Sequence, residues 1–229
     1  MSFYTNRLLV EQNMQKGSLD DCQIADCDIS SLEVNKRIWT EVELRDTRAN
    51  DIAFSHAELK KCRFFRSDLV RMSFSSSTMR NVTLDGLTLI RSVWQKSALH
   101  EITLRNACLQ RAKFQKVKVF LSSFTDFEAI ESRMENCLFA HSRFVITYGN
   151  GMNGYSGAIL RNCIFYNCRF EGFPLRGATL ENCVFVQCYG EVGDDMDCRN
   201  VAGLHRWGDG RSVRLKRPAQ AAELLARFA

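Results

Sequence analysis

Proline and long apolar runs are what this sequence has least of. Its 229 residues include only two prolines, and no apolar run approaches the ~18 residues that a membrane-spanning helix requires. The opening residues, MSFYTNRLLVEQ, lack the long apolar core of a secretory signal. We therefore expect a soluble chain with no membrane span, located in the cytoplasm unless a specialised secretion system exports it.

Cysteine and histidine are too few, and too scattered, to define a familiar site. Ten cysteines in 229 residues are about half of the ~8–10% content that marks a short secreted disulfide scaffold. The four histidines do not recur with metal-ligand spacing or with the spacing of a catalytic triad. The sequence predicts reduced thiols, no metal ion, no cofactor and no catalytic group, and so a protein that is not an enzyme.

A period of five residues organises most of the chain. Stepping by five from Leu19 to Phe144 meets an apolar residue at all 26 positions, and the pattern resumes one residue out of phase from Leu160 to Phe185. Two residues before each of these positions the side chain is mostly small, and two residues after it is mostly polar or glycine. Five fits neither the helical period of about 3.6 nor the strand period of about 2. It fits a chain that points a large group inward, turns, points a small group inward, and repeats.

The pattern resembles that of the pentapeptide-repeat family, over about residues 17–190. The resemblance implies an all-β fold, a right-handed quadrilateral parallel β-helix of about eight coils, in which four pentads make a coil and residues 20 apart stack. Asn and Gly after each large residue suit a turn with positive φ. Arg37 departs from the pattern because it occupies a small inward position. A buried cation is costly, so we expect a bulge or a distorted face near residues 30–40.

The repeat also predicts the organisation of the chain. Residues 1–16 cap the coil, residues 17–190 form the β-helix with a glycine-rich loop at 147–157, and residues 191–229 form a C-terminal tail. An amphipathic helix is predicted at residues 218–228 and needs an apolar docking site. Its apolar face includes Leu224, Leu225 and Phe228. This helix either caps the last coil or pairs two chains, and the resemblance to topoisomerase-protecting family members implies a homodimer.

The cysteines fit the repeat. Eight of the ten fall on the small inward position, with Cys163 stacked below Cys183 and Cys168 below Cys188. A zinc site would need four ligands converging on one point. The pattern therefore predicts buried thiols that pack as small hydrophobic groups.

Charge divides along the chain. Residues 17–59 carry ten acids and four bases, residues 60–118 carry thirteen bases and three acids, and residues 119–190 carry six acids and five bases. Stacking of successive coils would align the basic residues in columns. One column contains Arg71, Arg91 and Arg111 between Asp51 and Glu131, and another contains Lys60, Arg80 and His100. Like charges at strand spacing repel, so each column is neutralised by flanking acids or binds an anionic partner.

These features predict a rod-shaped scaffold that binds another protein. The candidate binding residues are the basic members of the two columns together with Tyr148, Asn150, Met152 and Tyr155 in the loop. The resemblance implies protection of a type II topoisomerase from a drug or toxin. The alternative is an effector or adaptor of a bacterial specialised secretion system that uses its polarised faces. Binding to nucleic acid or anionic lipid ranks below both, because the aromatic residues of 60–118 point inward and leave no stacking platform.

Overall fold

The computed structural model describes residues 1–147, 154–207 and 212–215, with side chains placed for 1–147 and 154–204. Within these ranges the chain forms one short helix and a long series of short strands. The first half comprises β1 (Ser2–Tyr4), α1 (Arg7–Lys16), β2 (Leu19–Ala25), β3 (Glu33–Asn35), β4 (Ile38–Arg45), β5 (Ala53–Ser55), β6 (Glu58–Lys60), β7 (Arg63–Phe65), β8 (Ser73–Ser75), β9 (Thr78–Arg80), β10 (Thr83–Asp85), β11 (Val93–Gln95), β12 (Ala98–His100) and β13 (Thr103–Cys108). The second half comprises β14 (Lys113–Gln115), β15 (Lys118–Phe120), β16 (Ser123–Glu128), β17 (Arg133–Glu135), β18 (Leu138–Ala140), β19 (Arg143–Val145), β20 (Ile159–Arg161), β21 (Ile164–Tyr166), β22 (Arg169–Glu171), β23 (Thr179–Glu181), β24 (Val184–Val186), β25 (Tyr189–Asp194), β26 (Asp197–Arg199), β27 (Leu204–Trp207) and β28 (Ser212–Leu215).

The strands stack in parallel to form a β-helix with four faces. One face is the nine-stranded sheet that runs from β3 to β26. Two more faces belong to the larger sheet, in which, for example, β12 pairs with β15 and β13 with β16. The fourth face is held by isolated parallel bridges such as Asp68↔Thr88. The all-β quadrilateral fold expected from the sequence is confirmed.

The coil repeats every four pentads, as the sequence predicts. Trp94 pairs with Phe74 on one side and with Phe114 on the other. Nine strands stack on one face, and β1 adds a further layer by pairing with β2. The expected number of about eight coils was slightly low, because β26 continues the stack beyond residue 190 and β1 extends it before residue 17.

The corners between faces take a left-handed backbone conformation. Positive φ recurs at every fifth residue, for example 59° at Arg71, 57° at Arg91 and 56° at Lys116. Sequence reasoning placed Asn and Gly at these corners, and charged residues also occupy them. The side chain at such a corner is directed away from the core, so polar and charged groups are solvated there.

Large apolar residues fill the interior in vertical columns. Trp94 and Phe114 stack with ring centroids 5.6 Å apart, and Phe165 and Phe185 stack at 4.7 Å. The small inward positions hold buried Ala, Cys and Ser side chains. The Ser77 hydroxyl donates to Ser75 O at 2.7 Å and accepts from the Ala57 N–H at 2.9 Å, so its polar atom is satisfied inside the core.

Arg37 does not distort the coil. The strands on either side of it stay in register, with β3 paired to β5 and β4 to β6, and Arg37 O accepts from the Glu58 N–H at 3.0 Å. The residue is half-exposed rather than buried, because it lies in a groove beside Met14 and Gln15 of α1. The expected bulge near residues 30–40 was therefore wrong.

An insertion interrupts one coil without disturbing the stack. Glu128 bridges to Gly154, and Arg133 pairs with Ile159, so partners across this coil are separated by one pentad and one residue more than partners elsewhere. The one-residue shift in the sequence phase is the result of this insertion.

Helix α1 lies at the start of the coil. Its N-cap is Asn6, whose Oδ1 accepts from the Leu8 N–H at 2.7 Å. Val10 and Met14 are buried against the first coil, whereas Phe3, Leu8 and Leu9 are exposed. Val10 and Met14 thus form the apolar contact of the cap.

Beyond residue 190 antiparallel pairing appears beside the last layer of the coil. Strands β25, β28 and β27 pair in antiparallel fashion. The amphipathic helix predicted at residues 218–228 lies outside the described residues. In the part of the chain that the structure describes, no helix is long and apolar enough to cross a membrane.

Candidate functional site

Ion pairs on the surface follow the register of the coils. A base pairs with an acid one coil away in Lys61–Glu41 (2.9 Å), Arg66–Asp46 (2.7 Å), Arg105–Asp85 (2.8 Å) and Arg161–Glu181 (2.7 Å). These pairs are largely exposed, so each contributes little to stability. Their effect is electrostatic, because bases of residues 60–118 neutralise several acids of the first coils.

The arginine column is mostly neutralised. Arg71 donates to both carboxylate oxygens of Asp51, at 2.6 and 2.5 Å, and Arg111 Nε donates to Glu131 at 2.7 Å. The hydrogen bond from Arg71 holds the pKa of Asp51 below its ordinary value. Arg91, between two arginines, has no ion-pair partner among the described residues. The flanking acids therefore neutralise the two ends of the column, Arg71 and Arg111, whereas Arg91 at its centre remains available to an anionic partner.

The second basic column is also mixed. Lys60 Nζ lies 3.1 Å from Glu58 within the same strand, and His100 Nδ1 lies 3.6 Å from Glu101. Arg80 is exposed and has no ion-pair partner within the ranges described. Arg80 and Arg91 are thus the predicted candidates whose charges remain available.

A third basic group was not singled out from the sequence. Lys113, Lys116 and Lys118 lie in the coil that contains β14 and β15, and all three are exposed. Their stacking neighbours are Val93 and Arg133 for Lys113, Lys96 and Asn136 for Lys116, and Ala98 and Leu138 for Lys118. No acid lies one coil before or after any of them in its column, a signal that the sequence already contains. We call these three residues the lysine group.

The loop candidates divide between two environments. Tyr155 is 1% exposed and packs against Phe127 with ring centroids 4.9 Å apart. It is a core residue, so its side chain is removed from the candidate surface. Tyr148, Asn150 and Met152 lie outside the described residues, as do Leu224, Leu225 and Phe228 of the predicted C-terminal helix.

The inward cysteines are packing groups, as the pattern predicted. Burial raises the pKa of Cys62 to about 11 and that of Cys22 to about 12, so these thiols stay protonated at neutral pH. Cys137 lies below Cys163 across the insertion, and its thiol donates to Glu135 O at 3.4 Å. Sequence reasoning missed this neighbour because the insertion separates the two residues by more than one ordinary coil. Within the described ranges, no group of three or more His, Cys, Asp or Glu residues could hold a metal ion.

A groove near the N-terminus is the other concave feature of interest. Its volume is about 390 Å³, and its walls include Met1, Glu41, Glu43, Lys61 and Arg63. The Met1 ammonium group lies 2.7 Å from Asp21. Glu41 pairs with Lys61, Glu43 pairs with Arg45, and Arg63 is exposed, an arrangement suited to solvated surface contact rather than to chemistry on an enclosed substrate.

Comparison with known proteins finds similar chains among solved structures. No family model matches the sequence, and no curated protein matches it. Among solved structures, QnrB1, a plasmid-mediated fluoroquinolone resistance protein, is 12% identical, with 90% of this chain and 99% of that chain covered and a TM-score of 0.46. HetL from Nostoc sp. strain PCC 7120, a pentapeptide repeat protein involved in heterocyst differentiation regulation, is 15% identical, with 89% and 97% covered and a TM-score of 0.33.

The similar solved structures also include a third pentapeptide repeat protein and several enzymes. Rfr23, a pentapeptide repeat protein from Cyanothece 51142, is 14% identical over 48% of this chain and 84% of its own, with a TM-score of 0.31. Weaker matches include a glucanase and alginate lyases. At these identities the likeness concerns the fold alone. The five-residue repeat, the register of four pentads per coil and the left-handed corners define the fold of this chain as a four-faced parallel β-helix built from pentapeptide repeats.

Proposed function

We propose that this protein is a non-enzymatic scaffold that binds another protein through the outward side chains of its coils. The supporting observation is the division of labour within each pentad. Most large apolar side chains are buried in the core. The corners and the outward positions of the strands carry charged groups at a fixed register. Several of those charges, including Arg80, Arg91 and the lysine group, are left without an ion pair in the described structure. A fixed array of unneutralised charge favours recognition of a complementary surface.

A binding partner can be sought directly. Purified protein immobilised through its C-terminus should retain a partner from a bacterial extract, and charge reversal of Arg80 and Arg91 together should reduce that retention. Charge reversal of Arg161, which is paired with Glu181, is the matched control. A partner list that is identical for all three proteins would contradict binding through the unneutralised bases.

A finer proposal within this function is protection of a type II topoisomerase from a drug or toxin. This is the target class that the sequence resemblance implied, and QnrB1 is itself a fluoroquinolone resistance protein. The charges of this protein weigh against topoisomerase protection. A protein that mimics DNA needs unpaired acids, whereas Glu41, Asp46 and Asp51 are all paired with bases. Gyrase supercoiling in the presence of a fluoroquinolone, with and without stoichiometric protein, tests the proposal. Unchanged inhibition would remove it.

The second proposal is an effector or adaptor of a bacterial specialised secretion system. The unneutralised bases favour it, since a partner bound through these faces must itself carry negative charge. Retention of the protein by a purified secretion component, and loss of that retention in Arg91→Glu, would support it. Retention that does not depend on salt would contradict an electrostatic interface.

We also propose that the predicted C-terminal helix joins two chains or caps the last coil. Replacement of Leu225 and Phe228 by Asp should convert a dimer to a monomer in light scattering if the helix joins chains. If it caps the coil, the same change should lower the thermal midpoint of a protein that is monomeric throughout.

A further inference from the structure

The coil that carries the lysine group also exposes an apolar edge. Leu121 is 53% exposed at a left-handed corner, with φ of 51°. The other residues in its column are polar or charged, namely Asp21, Glu41, Lys61, Asn81, Glu101, His141, Asn167 and Gln187. A leucine here gains little burial, and the left-handed conformation that it shares with the other corners suits it less well than the Asn found at several of them. The corner itself is ordinary, because the Leu121 N–H donates to Ala140 O at 3.1 Å.

The lysines and the apolar edge form one continuous surface. In β15, Val119 is 1% exposed, so its neighbours Lys118 and Phe120 point outward from the same strand. Lys116 occupies the corner before this strand and Leu121 the corner after it. Phe120 is half-buried, with its ring centroid 6.3 Å from that of His100. β15 is the sixth strand of the stack that begins at β2, and we define the coil-six face as Lys113, Lys116, Lys118, Phe120 and Leu121.

The chemistry of the coil-six face selects one class of partner. Unneutralised ammonium groups attract carboxylates, and an aliphatic side chain beside a partly open aromatic ring supplies an apolar contact. Nucleic acid would use the charges, but single-strand binding relies on open aromatic platforms, and the ring of Phe120 is half-buried. We infer that the coil-six face binds an acidic segment of another protein that places an apolar side chain against Leu121. This inference rests on the proposed scaffold function and specifies where and what the scaffold binds.

Selection from a random peptide display library identifies the preferred chemistry without a known partner. Peptides selected on the wild-type protein should be rich in Asp and Glu and contain an aliphatic or aromatic residue. Synthetic copies of the enriched peptides, labelled with fluorescein, then serve as probes in anisotropy titrations. We expect Lys116→Glu/Lys118→Glu to weaken their binding by about tenfold or more, and Leu121→Asn to weaken it by about fivefold or more.

Control variants separate this face from the rest of the surface. Lys36→Glu alters a corner lysine in the same column as Lys116, several coils away, and should leave affinity unchanged. Leu121→Asn should fold normally, because Asn occupies corners of the same kind at Asn81 and Asn106. Its thermal midpoint should be unchanged or higher than that of the wild type, since Asn accepts positive φ more readily.

The outcomes distinguish this inference from the scaffold function. Enriched peptides whose binding is lost in Arg91→Glu but kept in the coil-six variants would leave the scaffold function standing and overturn the coil-six face. Absence of any enriched peptide would contradict both. A labelled single-stranded DNA probe that binds more tightly than the peptides, with an affinity indifferent to Leu121→Asn, would overturn the acidic protein segment as the occupant.

Discussion

At the scale of single residues, two buried tryptophans differ in whether the indole N–H has a hydrogen-bond acceptor. Trp94 Nε1 donates to Ser92 Oγ at 2.9 Å, whereas Trp39 Nε1 is buried with no hydrogen-bond partner in the described structure. Both rings are essentially buried. A buried donor without an acceptor costs free energy that the same ring without the N–H would not.

Replacement of each tryptophan by phenylalanine should expose this difference. The two changes remove similar volume, but Trp94→Phe also breaks a buried hydrogen bond, whereas Trp39→Phe removes an unsatisfied donor. We expect Trp39→Phe to lower the free energy of unfolding by about 1 kcal/mol less than Trp94→Phe does. Urea denaturation of the two variants measures it, and a larger loss in Trp39→Phe would show that packing dominates.

The thiols give a second test at this scale. Burial raises the pKa of Cys62 to about 11 and that of Cys22 to about 12, and a protonated, inaccessible thiol is a poor nucleophile. At pH 8 both should resist iodoacetamide in the folded protein and react once urea unfolds it, as peptide mass spectrometry would show. Cys108, which is half-buried, is the internal comparison. Alkylation of Cys62 as fast as Cys108 would contradict the buried position.

At the scale of the element, the pentad is the unit that sequence reasoning handled well. The spacing of large apolar residues determined which side chains enter the core, because an inward position recurs only at a fixed backbone period. Arg37 was misjudged because α1 lies beside it and creates a half-exposed groove, a tertiary arrangement that no local pattern encodes. Tyr155 was misjudged because the coil already resumes at the bridge between Glu128 and Gly154, inside the segment that glycine content marks as a loop.

Two corner glycines should differ in how much stability the protein loses when each is replaced by alanine. Gly172 has φ of 71°, and a Cβ there would overlap Ile146 O; Gly157 has φ of 64° and nothing within 4 Å of such a Cβ. Gly157→Ala should therefore cost only the left-handed conformation, about 1 kcal/mol. Gly172→Ala should cost about 3 kcal/mol or more, because a backbone carbonyl must also move. Equal losses in urea denaturation would mean that the coil shifts freely at Gly172.

At the scale of the whole molecule, ion pairs within the charged columns make the stability of the fold depend on pH. The hydrogen bond from Arg71 lowers the pKa of Asp51 from its ordinary 3.8. A carboxylate with a lowered pKa stabilises the fold above its unfolded pKa and loses that contribution as the pH falls through the folded value. Arg71→Gln should raise the pKa of Asp51 towards its ordinary value in an NMR titration. An Asp51 pKa that does not respond would show that the pair does not form in solution.

The surface of the molecule was less accessible to sequence reasoning than its interior. The columns themselves were predicted, but which charges remain unneutralised depends on pairing across coils, as in Arg111 with Glu131. The lysine group could have been found by asking whether each base has an acid one coil away in its column. The repeat pattern does not predict the partner, because it places no constraint on the residues at outward positions.

The insertion between the coils of β19 and β20 has a consequence for how such a molecule can change over time. Phe144 still pairs with Phe170, and Glu128 still bridges to Gly154, so pairing between coils continues on both sides of the interruption. A corner of the coil is thus a place where chain can be added at little cost, since each coil contacts only the coils above and below it. The same corner offers a position for grafting a foreign peptide, carried on a frame that already holds its two ends in register.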